Sequence, residues 1–125
     1  MILDTNALSA VAEGDSAIEP LLRQATDVAI PVIVLGEYRF GIAECQNRTR
    51  YERWLGEYLR HFRILHVTER TTCHYADIRG ELKWIGKPIP SNDLWIAALS
   101  YQHTLPILSR DRHFDAVSGI SRLSW

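Results

Sequence analysis

Short apolar runs alternate along this chain with longer segments of helical period, and no other feature restricts the fold as much. Parallel strands cannot be joined by tight hairpins and need long crossovers, so this alternation predicts an α/β domain with a mainly parallel sheet. Strands are expected at Met1–Leu3, Val28–Ile30, Ile64–Val67, Pro106–Leu108 and Ser121–Leu123. Between the first two, Ala7–Glu13 and Ser16–Gln24 read as helices broken at Gly14-Asp15, a stop signal followed by N-cap chemistry. Pro31 suits the first turn of a helix running towards Glu44. Thr49–Phe62 sets Tyr51, Trp54, Leu55, Tyr58, Leu59 and Phe62 at helical spacing, the stripe of a docked amphipathic helix. Thr68–Ile85 has the same character, with Thr68 as N-cap and Gly86-Lys87-Pro88 as terminator. Ser91-Asn92-Asp93 then opens Leu94–Gln102, a nearly all-apolar helix that belongs in the centre.

With 125 residues, 46% of them hydrophobic, the chain is expected to fold as a single domain over residues 1–125. Cys45 and Cys73 are too few for a disulfide framework and form no Cys-x-x-Cys pair, which fits a reducing, cytoplasmic setting. The longest apolar run, Val28–Leu35, falls well short of the ~20 residues that span a membrane. Met1–Leu3, read as a buried strand, leaves no room for a secretory leader. A net charge of -1 argues against indiscriminate nucleic-acid binding, and two bound divalent cations would move it to +3. Locally the balance differs: Arg48, Arg50, Arg53, Arg60 and Arg63 face only Glu52 and Glu57 in their segment, a surplus of +3. These arginines are candidate phosphate contacts, and a solvated face with intrahelical ion pairs is the plainer alternative.

The acids carry the chemistry. Asp4 and Asp111 each follow a predicted strand, where α/β proteins place ligand sites, although helix capping and a polar turn account for such residues equally well. Glu37 lies in the apolar segment Val-Ile-Val-Leu-Gly-Glu-Tyr-Arg-Phe-Gly-Ile with no opposite charge at four-residue spacing, so a buried Glu37 must be paired, protonated or bound to a cation. Asp93 falls in the first turn of the apolar helix, a position that also favours a carboxylate through the helix dipole. Together the four suggest oxygen-only ligation, which selects Mg²⁺ or Mn²⁺ over Zn²⁺.

These segments resemble the PIN-domain ribonucleases, particularly the VapC-type toxins of bacterial toxin-antitoxin pairs. Ile2-Leu3-Asp4-Thr5-Asn6 looks like that family's opening strand and first acid. Val34-Leu35-Gly36-Glu37-Tyr38-Arg39-Phe40-Gly41 is similar to its second motif, and Ile89-Pro90-Ser91-Asn92-Asp93-Leu94-Trp95-Ile96-Ala97-Ala98 to its third. Leu108-Ser109-Arg110-Asp111-Arg112-His113-Phe114 looks like the fourth, with Ser109 where Thr is more usual. The resemblance implies a three-layer α/β/α fold with strand order 3-2-1-4-5 and the acids at the switch point between strands 1 and 4. It also implies a cytoplasmic RNA endonuclease, usually homodimeric, inhibited by an antitoxin whose C-terminal segment threads the active-site groove.

On this reading Asp4, Glu37, Asp93 and Asp111 hold Mg²⁺ or Mn²⁺, which activates a water for in-line attack on RNA, leaving a 5′-phosphate and a 3′-hydroxyl. Thr5, Asn6 and Ser109 are candidates to orient carboxylate or water. Asp115 is expected outside the site. Rival chemistries are weaker. A haloacid-dehalogenase phosphatase needs an acid where Asn6 stands, and a receiver domain needs a phosphoacceptor Asp where Val67-Thr68-Glu69 follows the third strand. A non-catalytic PIN-fold module that binds RNA or protein is the alternative from another class, and the four acids argue against it. His61, His66, His74, His103 and His113 make no zinc spacing and read mostly as surface or packing residues. No Walker A or dinucleotide-binding motif occurs. Trp54, Trp84, Trp95 and Trp125 read as core or interface residues, Trp95 as core.

Overall fold

Strands of two or three residues pair in parallel throughout, giving one sheet in the order β3-β2-β1-β4-β5. In the computed structural model, which describes residues 1–125, these are β1 (Ile2–Leu3), β2 (Ala29–Pro31), β3 (Arg63–Leu65), β4 (Ile107–Leu108) and β5 (Arg122–Leu123). The helices between them are α1 (Thr5–Glu13), α2 (Glu19–Gln24), α3 (Val32–Ile42), α4 (Arg48–Tyr58), α5 (Glu69–Trp84) and α6 (Ser91–His103). They complete the three-layer α/β/α arrangement expected from the sequence. In the register, Ile2 lies opposite both Ala29 and Ile107, and Leu3 opposite Leu108, so β1 is the sheet's central strand. Ile2, Leu3, Ile30, Ile107 and Leu108 are wholly buried, as strands covered on both faces must be.

Local chemistry sets most boundaries. The Asp4 carboxylate takes the Thr5 amide at the start of α1, and Gly14, at φ 72°, closes that helix by donating to the carbonyls of Ala10 and Val11. Pro31 ends β2 and caps α3 with no intervening loop. Val34, Tyr38 and Ile42 form the buried face of α3. Thr68 begins α5 through a reciprocal capping box with Thr71. Thr71 is itself fully buried and donates to Gln102 Oε1 at 2.6 Å, tying α5 to α6. In α6, Leu94 and residues 96–100 are buried, so this helix is central as expected.

Differences from the expected elements are local. Helix α2 starts at Glu19 rather than Ser16, because Asp15 Oδ1 accepts the Ala17 amide and holds a turn there. The Thr49–Phe62 segment is helical only to Tyr58 and then tightens into a 3-10 turn over Leu59–His61 before β3. β3 runs Arg63–Leu65, leaving Val67 exposed. Trp95, expected in the core, is half-buried and stacks on Tyr75 at 3.9 Å between centroids, and Trp84, expected in the core or at an interface, is 90% exposed.

Candidate functional site

The chain leaves β1 and β4 side by side, yet their onward connections run to opposite sides of the sheet: β1 leads towards β2, β4 towards β5. The crevice at the carboxyl ends of such a strand pair is where open parallel sheets receive ligands. Asp4 stands at the end of β1, and Ser109-Arg110-Asp111 at the end of β4. Asp93 enters from the first turn of α6, and Glu37 from the middle of α3.

Asp4 is only 5% exposed. Its Oδ1 accepts the Thr5 amide at 2.7 Å, and its Oδ2 accepts the Ser109 hydroxyl at 2.7 Å and Asn6 Nδ2 at 3.0 Å. Capping and a place in the crevice are therefore not alternatives, since each uses a different oxygen. Ser109, wholly buried, is saturated: its Oγ donates to Asp4 and accepts from Asn6 Nδ2 at 3.1 Å and from the Asp111 amide at 2.9 Å. Asn6 Oδ1 accepts the Arg110 amide at 3.0 Å, so Asn6 and Ser109 join the two strand ends. Thr5 Oγ1 donates to Glu37 Oε1 at 3.1 Å, which brings half-buried Glu37 to the same edge. Glu37 and Thr5 line a groove of about 260 Å³ that also includes Glu13, Tyr38 and Tyr51.

Asp93 does not cap α6; Pro90 occupies the cap position without a side-chain bond. Instead Asp93 Oδ2 lies 3.0 Å from His113 Nδ1, which is also 3.1 Å from Asp111 Oδ1. Asp111 caps the 3-10 turn Arg112–Ala116 by accepting the His113 amide at 2.9 Å. One ligand atom from each of Asp93, Asp111 and His113 falls within 4.8 Å of the others. His113 is exposed, as the reading of the histidines expected, but its contacts with Asp93 and Asp111 were not anticipated; its one signal was its place two residues after Asp111.

Burial raises the Asp4 carboxyl above the usual carboxylate range, with hydrogen bonds from Ser109 and Thr5 pulling the other way and the Asp111 charge adding to the rise. Asp93 is also raised, first by burial, then by Asp111 and Asp4 against the His113 hydrogen bond. His113 is raised, chiefly by Asp93. Neither Asp4 nor Glu37 has a cationic side chain within ion-pairing distance; the acids' one such neighbour is His113, on Asp93 and Asp111. Asp115 is engaged elsewhere, bound to Arg122 at 2.7 and 3.0 Å, and that guanidinium holds its carboxyl low.

The arginines of the basic segment divide. Arg48 pairs with Glu52 and Arg63 with Asp27, while Arg50, Arg53 and Arg60 are exposed and make no ion pair.

Comparison with known proteins places this geometry in context. The family model described as PIN domain matches residues 1–120. Ribonuclease VapC5 of Mycobacterium tuberculosis is 31% identical over 120 residues, covering 94% of this chain and 87% of that protein. A structure of VapBC-5 from Mycobacterium tuberculosis, described as a member of the VapBC family of toxin-antitoxin systems, aligns with TM-score 0.73 and 27% identity over 98% of this chain and 94% of that chain. VapBC2 from Rickettsia felis, bound to a DNA fragment from its promoter, aligns with TM-score 0.89 over 99% of this chain and 97% of that chain, at an identity of 22% that speaks for the fold alone.

Proposed function

This chain belongs to the PIN-domain family, and we propose that it is an endoribonuclease, the toxin of a toxin-antitoxin pair, hydrolysing RNA with water activated by Mg²⁺ or Mn²⁺. The observation that carries the reading is Asp4, a carboxylate 5% exposed whose partners Thr5, Asn6 and Ser109 are all neutral. A buried carboxylate without counter-charge costs several kcal/mol, and a bound cation removes that cost. Asp4, Glu37, Asp93 and Asp111 supply oxygen donors, which suit a hard cation.

When bound, the cation lowers the pKa of a water and offsets charge on the attacked phosphate. The protein's own groups prepare the site. Asn6 and Ser109 fix the Asp4 oxygens and lock the β4 turn against β1, so the acids keep their aim without rearrangement. Thr5 orients Glu37. Arg50, Arg53 and Arg60, exposed and without ion pairs, are free to meet phosphate, with Arg48 and Arg63 available once their ion pairs open.

The partners follow from the same reading: an RNA substrate and a cognate antitoxin protein, with residues 1–125 acting as one nuclease domain in the cytoplasm. No helix is long and apolar enough to cross a membrane. Phe40 and Trp84, 84% and 90% exposed, leave large apolar surface for a second copy or an antitoxin, and a homodimer is expected on size exclusion with light scattering. The function is tested by incubating purified protein with RNA. Cleavage that stops with EDTA, returns with Mn²⁺ and leaves 5′-phosphate ends supports it. RNA binding without cleavage under any metal would make the chain a binding module instead.

A further inference from the structure

We propose that His113 is a nitrogen ligand to the divalent cation, so that the site is a mixed nitrogen and oxygen centre which prefers Mn²⁺ to Mg²⁺. The inference rests on the cation reading above and extends it to a residue outside the four acids. Its ground is the placement of Nδ1, 3.0 Å from Asp93 Oδ2 and 3.1 Å from Asp111 Oδ1. Nδ1 thus stands between two carboxylate oxygens with at most one proton to offer them. The better-aligned contact is with Asp93, and Asp111 shares the same proton or meets the ring as an ion pair. Asp111 Oδ1 already accepts the His113 amide.

The spacing admits a coordination shell. An octahedral ion with bonds of about 2.1 Å sets adjacent ligand atoms about 3.0 Å apart and opposite ones about 4.2 Å apart. The two imidazole contacts match the shorter value, and all three atoms lie within 4.8 Å of one another. Ligation releases the Nδ1 proton to solvent and uses the tautomer with its proton on Nε2, leaving the Nδ1 lone pair for the ion. His113 is about half-exposed at 51%, so Nε2 can keep water as its partner. An imidazole among carboxylates shifts preference along the divalent series, away from Mg²⁺, which favours oxygen and gives up water reluctantly.

Pulsed EPR of the Mn²⁺-loaded protein reads this directly. Wild type is expected to show hyperfine coupling from a directly bound ¹⁴N, retained in His61→Ala and lost in His113→Ala and His113→Gln. Calorimetric titration should show Mn²⁺ affinity falling about tenfold in both His113 variants, with Mg²⁺ affinity changing less. Circular dichroism of the same samples confirms that they are folded. Mn²⁺ that binds wild type and weakens in Asp93→Asn, but without nitrogen coupling, overturns the role of His113 and leaves the cation reading standing. Failure of wild type to bind Mn²⁺ overturns both.

Discussion

Asp4 divides its carboxyl between holding a helix and facing the crevice, and substitutions at this residue separate the two. In Asp4→Asn the side-chain size and one acceptor remain, so Thr5 keeps its cap while a negative charge leaves the site. RNA cleavage at matched Mn²⁺ is expected to fall about a hundredfold or more, with the circular dichroism spectrum unchanged. A wild-type rate would remove Asp4 from the mechanism. Tyr38 gives the opposite case. Its hydroxyl is buried without a hydrogen-bond partner, and burial beside Tyr51, Glu13 and Cys45 raises its pKa. Tyr38→Phe therefore deletes a desolvated group that makes no bond, and urea unfolding should show stability unchanged or higher by about 1 kcal/mol. A loss beyond that would reveal a partner for the hydroxyl in solution.

Among the elements, α4 and the 3-10 turn after it carry the sharpest prediction. Arg50, Arg53 and Arg60 are exposed and free of ion pairs, whereas Arg48 and Arg63 have acidic neighbours. Changing the free three to Ala should reduce the slope of log affinity for single-stranded RNA against log salt by about 2. An unchanged slope would make them a solvated face. The same elements show what was legible in the sequence. The alternation of strands and helices follows from apolar runs and helical periods, whereas the strand order was implied by the resemblance to the PIN family alone. Helix ends were read correctly where a cap was spelled out, as at Gly14 and Thr68. They were misread where a side chain competed for backbone, as when Asp15 takes the Ala17 amide and delays α2. Asp4 and Asp111 at strand ends and Asp93 in the first turn of α6 stand where the sequence suggested, whereas Glu37, expected near a helix start, lies in the middle of α3. The contact of His113 with Asp93 was not legible, because it spans 20 positions that only the fold brings together.

For the molecule as a whole, site and stability are linked through protons. Asp4 and Asp93 hold their protons more tightly when folded, first because of burial, and His113 does so because of Asp93. A folded state that binds more protons than the unfolded one loses stability as pH rises. The carboxyl contributions are thus intact in acid and disappear as pH climbs through their raised values. A cation on the ionised site reverses that loss. Thermal stabilisation by Mn²⁺ should be near zero below about pH 4 and grow towards neutrality, reaching about 2.7 kcal/mol at a hundred times Kd. A shift independent of pH would place the ion elsewhere. The strand order also has a consequence in time. β1 is translated before β4, and the hydroxyl that holds Asp4 comes from Ser109, 105 positions further along the chain. A nascent chain therefore carries Asp4 without that support until β4 has been made. A product stalled or cut between the two strands keeps Asp4 but lacks the other half of the crevice.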